Sequence, residues 1–254
     1  MKLGLITTTY QHATFLWDCF YSVLAQREQD FIHVIVDDAS TDNPDWAIRP
    51  YHARHPDRTI VVRLPQNLGP AGAFNAGVRA LPPECNWLMK CDADDKIDAR
   101  LVSECYAVIR ERPEVNVIVA PARHFGQQHH VYHYPTFDPA RMIETCMIPG
   151  QAMYRRSLWD ALGGYDETMR SAEDWDFFVR AQLGVGLVVH QLPAPRWYYR
   201  MHDGPRASSE GMSRIRALQA YWRGHTRDNL GTRTWAAWYE EHQATHNLIM
   251  AGAA

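Results

Sequence analysis

Lysine is scarce in this chain. Of 26 basic residues only Lys2, Lys90 and Lys96 are lysines, and the rest are arginine. The formal net charge is −3, so no cationic surplus marks the chain for nucleic acid, and the arginine bias is no more than codon usage would give. Cysteine is sparse as well. The five residues (Cys19, Cys85, Cys91, Cys105, Cys146) are odd in number and form no Cys-x-x-Cys pair, which argues against a disulfide framework or a zinc knuckle. Reduced thiols in a cytoplasmic protein are the expectation. No stretch approaches the roughly 20 apolar residues that cross a bilayer. Met1–Ile6 turns polar too soon for a signal peptide, so any membrane contact is expected to be peripheral. Repeats and low-complexity tracts are missing too. So are a Gly-x-Gly-x-x-Gly fingerprint and a Walker A loop, which argues against a dinucleotide oxidoreductase and a P-loop NTPase.

What is present is a chain of 254 residues, 46% hydrophobic, enough for one large α/β domain or for a domain with a helical extension. Short β-branched runs at 3–7, 31–36, 59–64, 86–91 and 115–120 read as buried strands. Helical spacing intervenes at 14–26, 71–80 and 98–112, the last stopped by Pro113. That alternation predicts a mostly parallel, doubly wound sheet, with ligands outside the carboxyl ends of its strands. The second half is less regular. Edge strands are expected at 129–134 and 148–154, helices at 157–162 and 173–182, and strands at 187–192 and 197–201. From about Ser209 to His246 the pattern is helical, with arginines among aromatics.

Three acidic clusters stand out: Asp37-Asp38-Ala39-Ser40, Asp92-Ala93-Asp94-Asp95 and Glu173-Asp174-Trp175-Asp176. Two follow apolar runs and the third opens a helix. Carboxylates in such places are costly unless they bind a cation, a polar ligand or a proton in transit. On an extended strand end, residues i and i+2 point the same way, so Asp92 and Asp94 can converge on one hard cation such as Mg2+ or Mn2+. Asp37 and Asp38 could accept hydrogen bonds from a base or ribose. The glycine-rich run Asn67–Gly77 leads into a helix and would let a phosphate approach backbone. Glu173 and Asp174 could supply a general base, although carboxylates also cap helices. Each cluster alone also fits an ordinary turn or cap; three together fit that description poorly.

The order of these motifs resembles family 2 glycosyltransferases. Thr7-Thr8-Thr9-Tyr10 with Ser22–Gln26 is similar to the family's opening strand, loop and helix. Val34–Asp42 is similar to its nucleotide-binding segment, followed by Asn67-Leu68-Gly69 and Asn75-Ala76-Gly77. Asp92-Ala93-Asp94-Asp95 matches its metal motif, and Gly163–Glu167 precedes Glu173–Asp176 as it does before the family's catalytic acidic pair. Tyr199-Arg200-Met201-His202 resembles a late segment whose histidine often completes the metal site. The resemblance covers roughly residues 1–205 and implies a GT-A catalytic domain there, with 206–254 as a helical C-terminal extension.

It also implies inverting transfer of a sugar from a nucleotide-diphosphate donor, usually a UDP-sugar, to an acceptor hydroxyl. In that reading Thr8, Tyr10, Asp37, Asp38, Asn67, Gly72, Asn75, Asp92 and Ala93 bind the nucleotide. Asp92, Asp94 and His202 hold Mn2+ or Mg2+, and Asp174 is the base, with Glu173 beside it. Arg206, Arg214, Arg216, Arg223, Arg227 and Arg233 leave room for an acceptor on a phosphorylated lipid or a hydroxylated nucleobase in DNA. A sugar nucleotidyltransferase would need a basic, glycine-rich loop after the first strand, which Thr8–His12 lacks. A glycoside hydrolase would need two opposed carboxylates and no metal. A non-catalytic nucleotide-sugar-binding module is the reading from a different class; Asp174 beside an intact Asp92-x-Asp94 argues against it.

Overall fold

A computed structural model of the chain describes residues 1–142 and 145–203. The expected helical extension at 206–254, with its arginines, lies outside them. Eleven strands are described: β1 (Leu3–Thr9), β2 (Phe31–Asp37), β3 (Thr59–Arg63), β4 (Trp87–Lys90), β5 (Lys96–Ile97), β6 (Val117–Val119), β7 (Ala122–Gly126), β8 (Val131–Tyr132), β9 (Met153–Arg155), β10 (Val189–Gln191) and β11 (Trp197–Met201). The helices are α1 (Leu16–Leu24), α2 (Asp45–Arg54), α3 (Gly69–Ala80), α4 (Leu101–Glu111), α5 (Arg156–Leu162) and α6 (Glu173–Gly184). No described helix is long and apolar enough to cross a membrane.

Seven strands form the main sheet in the order β10-β6-β9-β4-β1-β2-β3. It is mostly parallel, as expected, with β9 antiparallel to both neighbours. Side chains alternate between its faces. Ile6, Val34, Val36 and Leu88 pack towards α3 and α6, while Leu3, Leu5, Trp87 and Met89 pack with residues of α1 and α4 such as Cys19, Val102 and Cys105. Both faces are covered, which is why the parallel strands read as continuous apolar runs. His33 is the exception inside β2. It is fully buried, but Tyr51 Oη lies 2.8 Å from its Nδ1 and Thr7 Oγ1 2.9 Å from its Nε2. Burial depresses its pKa to about 3, so it is a neutral ring at neutral pH.

The second half departs from the expected boundaries. Proline and glycine at 149–150 make a turn, closed by Ala152 N–H donating to Pro149 O, so the strand expected at 148–154 is confined to β9. The strand expected at 129–134 shrinks to β8, in a small sheet ordered β5-β11-β7-β8. Helix α2 contains Pro50 and has no clear apolar stripe, yet it holds because Ala47, Ile48 and Tyr51 bury against Leu16 and Phe20 of α1. Tyr51 and Phe20 stack with ring centroids 4.2 Å apart.

Candidate active site

Strands β1, β2 and β4 run in parallel, so their carboxyl ends meet at one edge of the sheet. There a cleft of about 620 Å3 opens, lined by Thr8, Tyr10, Asp38, Asn67, Asp92 and Asp94 on one side and by Gly150, Glu173 and Asp174 on the other. The second acidic cluster lies in the turn that follows β4, where Asp95 N–H donates to Asp92 O. Asp92 and Asp94 face the cleft, whereas Ala93 is fully buried against Leu16 and Phe20, with its N–H donating to Thr8 O. Ala93, expected at the nucleotide, is not among the residues lining the cleft.

Asp94 sits in a three-residue group. His202 Nε2 lies 3.0 Å from Asp94 Oδ2 and His12 Nδ1 lies 4.0 Å from the same oxygen. One donor atom from each of the three falls within 4.8 Å of the others. His202 comes from β11's end, and Arg200 delivers it there. Its backbone N–H donates to Asp95 at 2.8 Å, its Nε donates to Asp94 O at 2.7 Å, and its guanidinium lies between Phe15 and Phe125. Two imidazoles and a carboxylate are a donor set that suits a divalent transition ion. His12 Nε2 is buried without a hydrogen-bond partner among the described residues, which also fits a site for such an ion.

Asp92 does not join this group. Its Oδ1 accepts from Thr8 Oγ1 and from Lys90 Nζ, both at 3.1 Å. Lys90 also lies 3.7 Å from Glu173 Oε1. Burial alone would lower the pKa of this ammonium, but the carboxylates of Asp92, Glu173 and Asp174 outweigh it and push it up, so Lys90 stays charged. Burial raises Glu173 to about 7 against the pull of Lys90, and raises Asp174 in the same direction.

The acidic pair is held at the start of α6. Ala172 precedes it at φ 58°, a left-handed conformation costing about 1 kcal/mol for a residue with a Cβ. The helix N-terminus offsets this by favouring the carboxylates that follow. Asp174 Oδ1 accepts from Trp175 N–H at 2.8 Å, and its other oxygen faces Gly150, where an added Cβ would lie 3.0 Å away. Asp174 is half-buried and borders the cleft; Glu173 is buried beside Lys90. Asp176 belongs to the core instead, paired with Arg180 at 2.7 Å. The third cluster is thus two site residues and one structural ion pair.

The nucleotide-side residues also divide. Asp38 accepts from Leu68 N–H (2.7 Å), Gly69 N–H (3.0 Å) and Asn67 Nδ2 (2.9 Å), and so shapes the loop opposite Tyr10. Burial raises its pKa despite those donors. Asp37 is turned from the cleft lining, accepting from Ser40 N–H at 2.9 Å and Arg63 Nη1 at 3.3 Å. Gly72 and Asn75, expected to contact nucleotide, do not line the cleft. Gly72 packs inside α3, where an added Cβ would lie 2.6 Å from Leu68 Cβ. Asn75 is fully buried: its Oδ1 accepts from Trp159 Nε1 and Tyr165 N–H, and its Nδ2 donates to Tyr165 O and Glu167. Gly77 lets α3 lie close on the sheet, since a Cβ there would sit 2.6 Å from Ile6 Cγ2. The glycine-rich run therefore divides: Asn67, Gly69, Pro70 and Ala73 line the cleft, while Gly72, Asn75 and Gly77 serve packing. Lys90, His12 and Gly150 are site residues that sequence reasoning passed over. A lysine closing the apolar run Trp87-Leu88-Met89, one of only three in the chain, was the available signal.

A mostly parallel sheet with an acidic cleft at its carboxyl edge defines a doubly wound α/β domain with a polar site, and comparison with known proteins identifies its class. Residues 5–168 match glycosyl transferase family 2, and the chain belongs to that family. An uncharacterized glycosyltransferase of Bacillus subtilis, YwdF, is 27% identical over 252 residues, spanning 95% of this chain and 90% of its own length. Escherichia coli chondroitin synthase is 22% identical over 177 residues, 67% of this chain but only 25% of the synthase. Among solved structures, S. aureus TarS 1–349 in complex with UDP-GlcNAc superposes with a TM-score of 0.74 at 22% identity, over 87% of this chain and 66% of that one. The mannosyltransferase PcManGT of Pyrobaculum calidifontis, in complex with GDP-Man and Mn2+, gives 0.64 at 19% identity, over 99% of this chain and 73% of its own. The fold is GT-A, and the protein is a glycosyltransferase.

Proposed function

We propose that this glycosyltransferase takes its sugar from a nucleotide diphosphate, a UDP-sugar, and passes it to an acceptor hydroxyl in one inverting displacement. The observation that carries this reading is that one cleft is lined by both Asp94 and His12 and by the Glu173-Asp174 pair. TarS has been crystallised with UDP-GlcNAc and with UDP, and PcManGT with GDP-Man and Mn2+, which supports a nucleotide-sugar donor and a divalent ion.

Thr8, Tyr10, Asp38, Asn67 and Asp92 border the end of the cleft that would take the nucleotide. Asp94 and His202 would hold Mn2+ or Mg2+, which when bound offsets the charge gathering on the departing diphosphate. Asp174 takes the acceptor's proton. As the acceptor oxygen bonds to the anomeric carbon, its O–H proton passes to the Asp174 carboxylate. The bond from that carbon to the diphosphate oxygen breaks on the opposite face, and its electron pair leaves with the nucleoside diphosphate. Lys90, 3.7 Å from Glu173 Oε1, supplies the positive charge that offsets the two carboxylates.

The test is a panel of nucleotide sugars with Mn2+ and hydroxyl acceptors, read as nucleoside diphosphate release. Turnover of a UDP-sugar that chelator abolishes supports the reading. Transfer only from a donor without a diphosphate would overturn it, and full rate in chelator would remove the cation.

A further inference from the structure

We infer that His12 is a third protein ligand of the divalent cation, so that the site is a two-histidine, one-aspartate centre that selects transition ions over Mg2+. This rests on the cation-dependent reading above and adds a residue from a different part of the chain. His12 lies in the loop after β1, next to Gln11, which adopts φ 57°. Gln11 is fixed by the loop after β2: its N–H donates to Ser40 Oγ and its Nε2 donates to Thr41 Oγ1. Ala13 N–H donates to Asp42 Oδ2 at 2.7 Å on the other side. These bonds hold the His12 ring inward, edge-on to the His202 ring, with centroids 5.5 Å apart.

Hydrogen bonding does not account for that placement. His12 Nδ1 stands 4.0 Å from Asp94, beyond hydrogen-bond length, and its Nε2 is buried with no partner among the described residues. A buried imidazole nitrogen left without a partner, as His12 Nε2 is among the described residues, is costly unless something else takes its lone pair. One donor atom from each of His12, Asp94 and His202 lies within 4.8 Å of the other two, close enough together to share one cation.

Two consequences follow from the donor chemistry. Imidazole favours the later first-row ions, whereas Mg2+ prefers oxygen and water and leans on substrate phosphates. Three protein ligands also make cation binding less dependent on the nucleotide. Mn2+, although the weakest binder of the first-row series, accepts imidazole more readily than Mg2+ does, so it should bind the free protein and resist displacement by excess Mg2+.

The experiment is Mn2+ titration of the full chain without nucleotide, followed by electron paramagnetic resonance, with nitrogen hyperfine modulation counting the imidazoles. Wild type, His12→Gln, His202→Gln and Asp94→Asn are compared, and thermal melts check each fold. Expected are two coordinated nitrogens in wild type, one in His12→Gln, and a loss of Mn2+ affinity of about tenfold or more in that variant. Equal affinity and nitrogen count in wild type and His12→Gln, with His202→Gln and Asp94→Asn impaired, would overturn the role of His12 and leave the cation reading standing. If wild type binds no Mn2+ even with UDP added, the cation reading falls and this inference with it.

Discussion

Lys90 Nζ lies 3.1 Å from Asp92 and 3.7 Å from Glu173, so one buried ammonium joins the acidic cluster after β4 to the acidic pair of α6. Lys90→Met removes the charge that lowers the pKa values of Glu173 and Asp174. Both carboxyls then titrate higher. The acidic limb of the kcat–pH profile should move up by about one to three units, and Lys90→Arg should move it less. An unchanged profile in Lys90→Met would separate Lys90 from the base.

Gly150 lies against the free oxygen of Asp174. In Gly150→Ala the new Cβ would sit 3.0 Å from Asp174 Oδ2, closer than carbon and oxygen normally pack, and the carboxylate must turn. A displacement of this kind costs roughly ten- to a hundredfold in kcat, with donor affinity unchanged. Steady-state kinetics and equilibrium binding of UDP distinguish this from a general loss of fold.

Asn75 should affect stability and leave the nucleotide alone. Asn75→Ala leaves Trp159 Nε1 and Tyr165 N–H without their shared acceptor in the core. Denaturant unfolding should show a loss of about 2–4 kcal/mol, while UDP affinity of the folded protein is retained. Weaker UDP binding at equal stability would restore Asn75 to the nucleotide site.

His33 gives stability its own pH dependence. Its folded pKa of about 3 lies below the ordinary 6.5, so below pH 6.5 the unfolded chain binds a proton that the folded one refuses. Stability from this group is full above pH 6.5 and is lost as pH falls towards 3, by about 2 kcal/mol at pH 5. His33→Gln should be less stable at neutral pH but lose that slope, as unfolding between pH 7 and 5 would show.

The parallel half of the fold was legible because strands buried on both faces leave apolar runs, and Leu3–Thr9 and Phe31–Asp37 differ from expectation only at their last residues. Helix α2 was not, because Pro50 hides it and its stability comes from Tyr51 packing on Phe20. The acidic clusters pointed to the cleft, but type alone could not sort Asp174 from Asp176, which differ in whether Arg180 faces them. Asn75 and Gly72 misled because small and polar residues near a helix start suit packing and ligand binding equally. His12 was silent for the opposite reason: its partners, Asp94 and His202, are 82 and 190 positions away.

The proposed role of Asp174 is to remove the acceptor's proton. Asp174→Asn keeps the side chain's shape and removes its basicity. Single-turnover transfer from a UDP-sugar, measured beside UDP affinity, should show no product formation with donor binding intact. Turnover comparable to wild type would contradict the account.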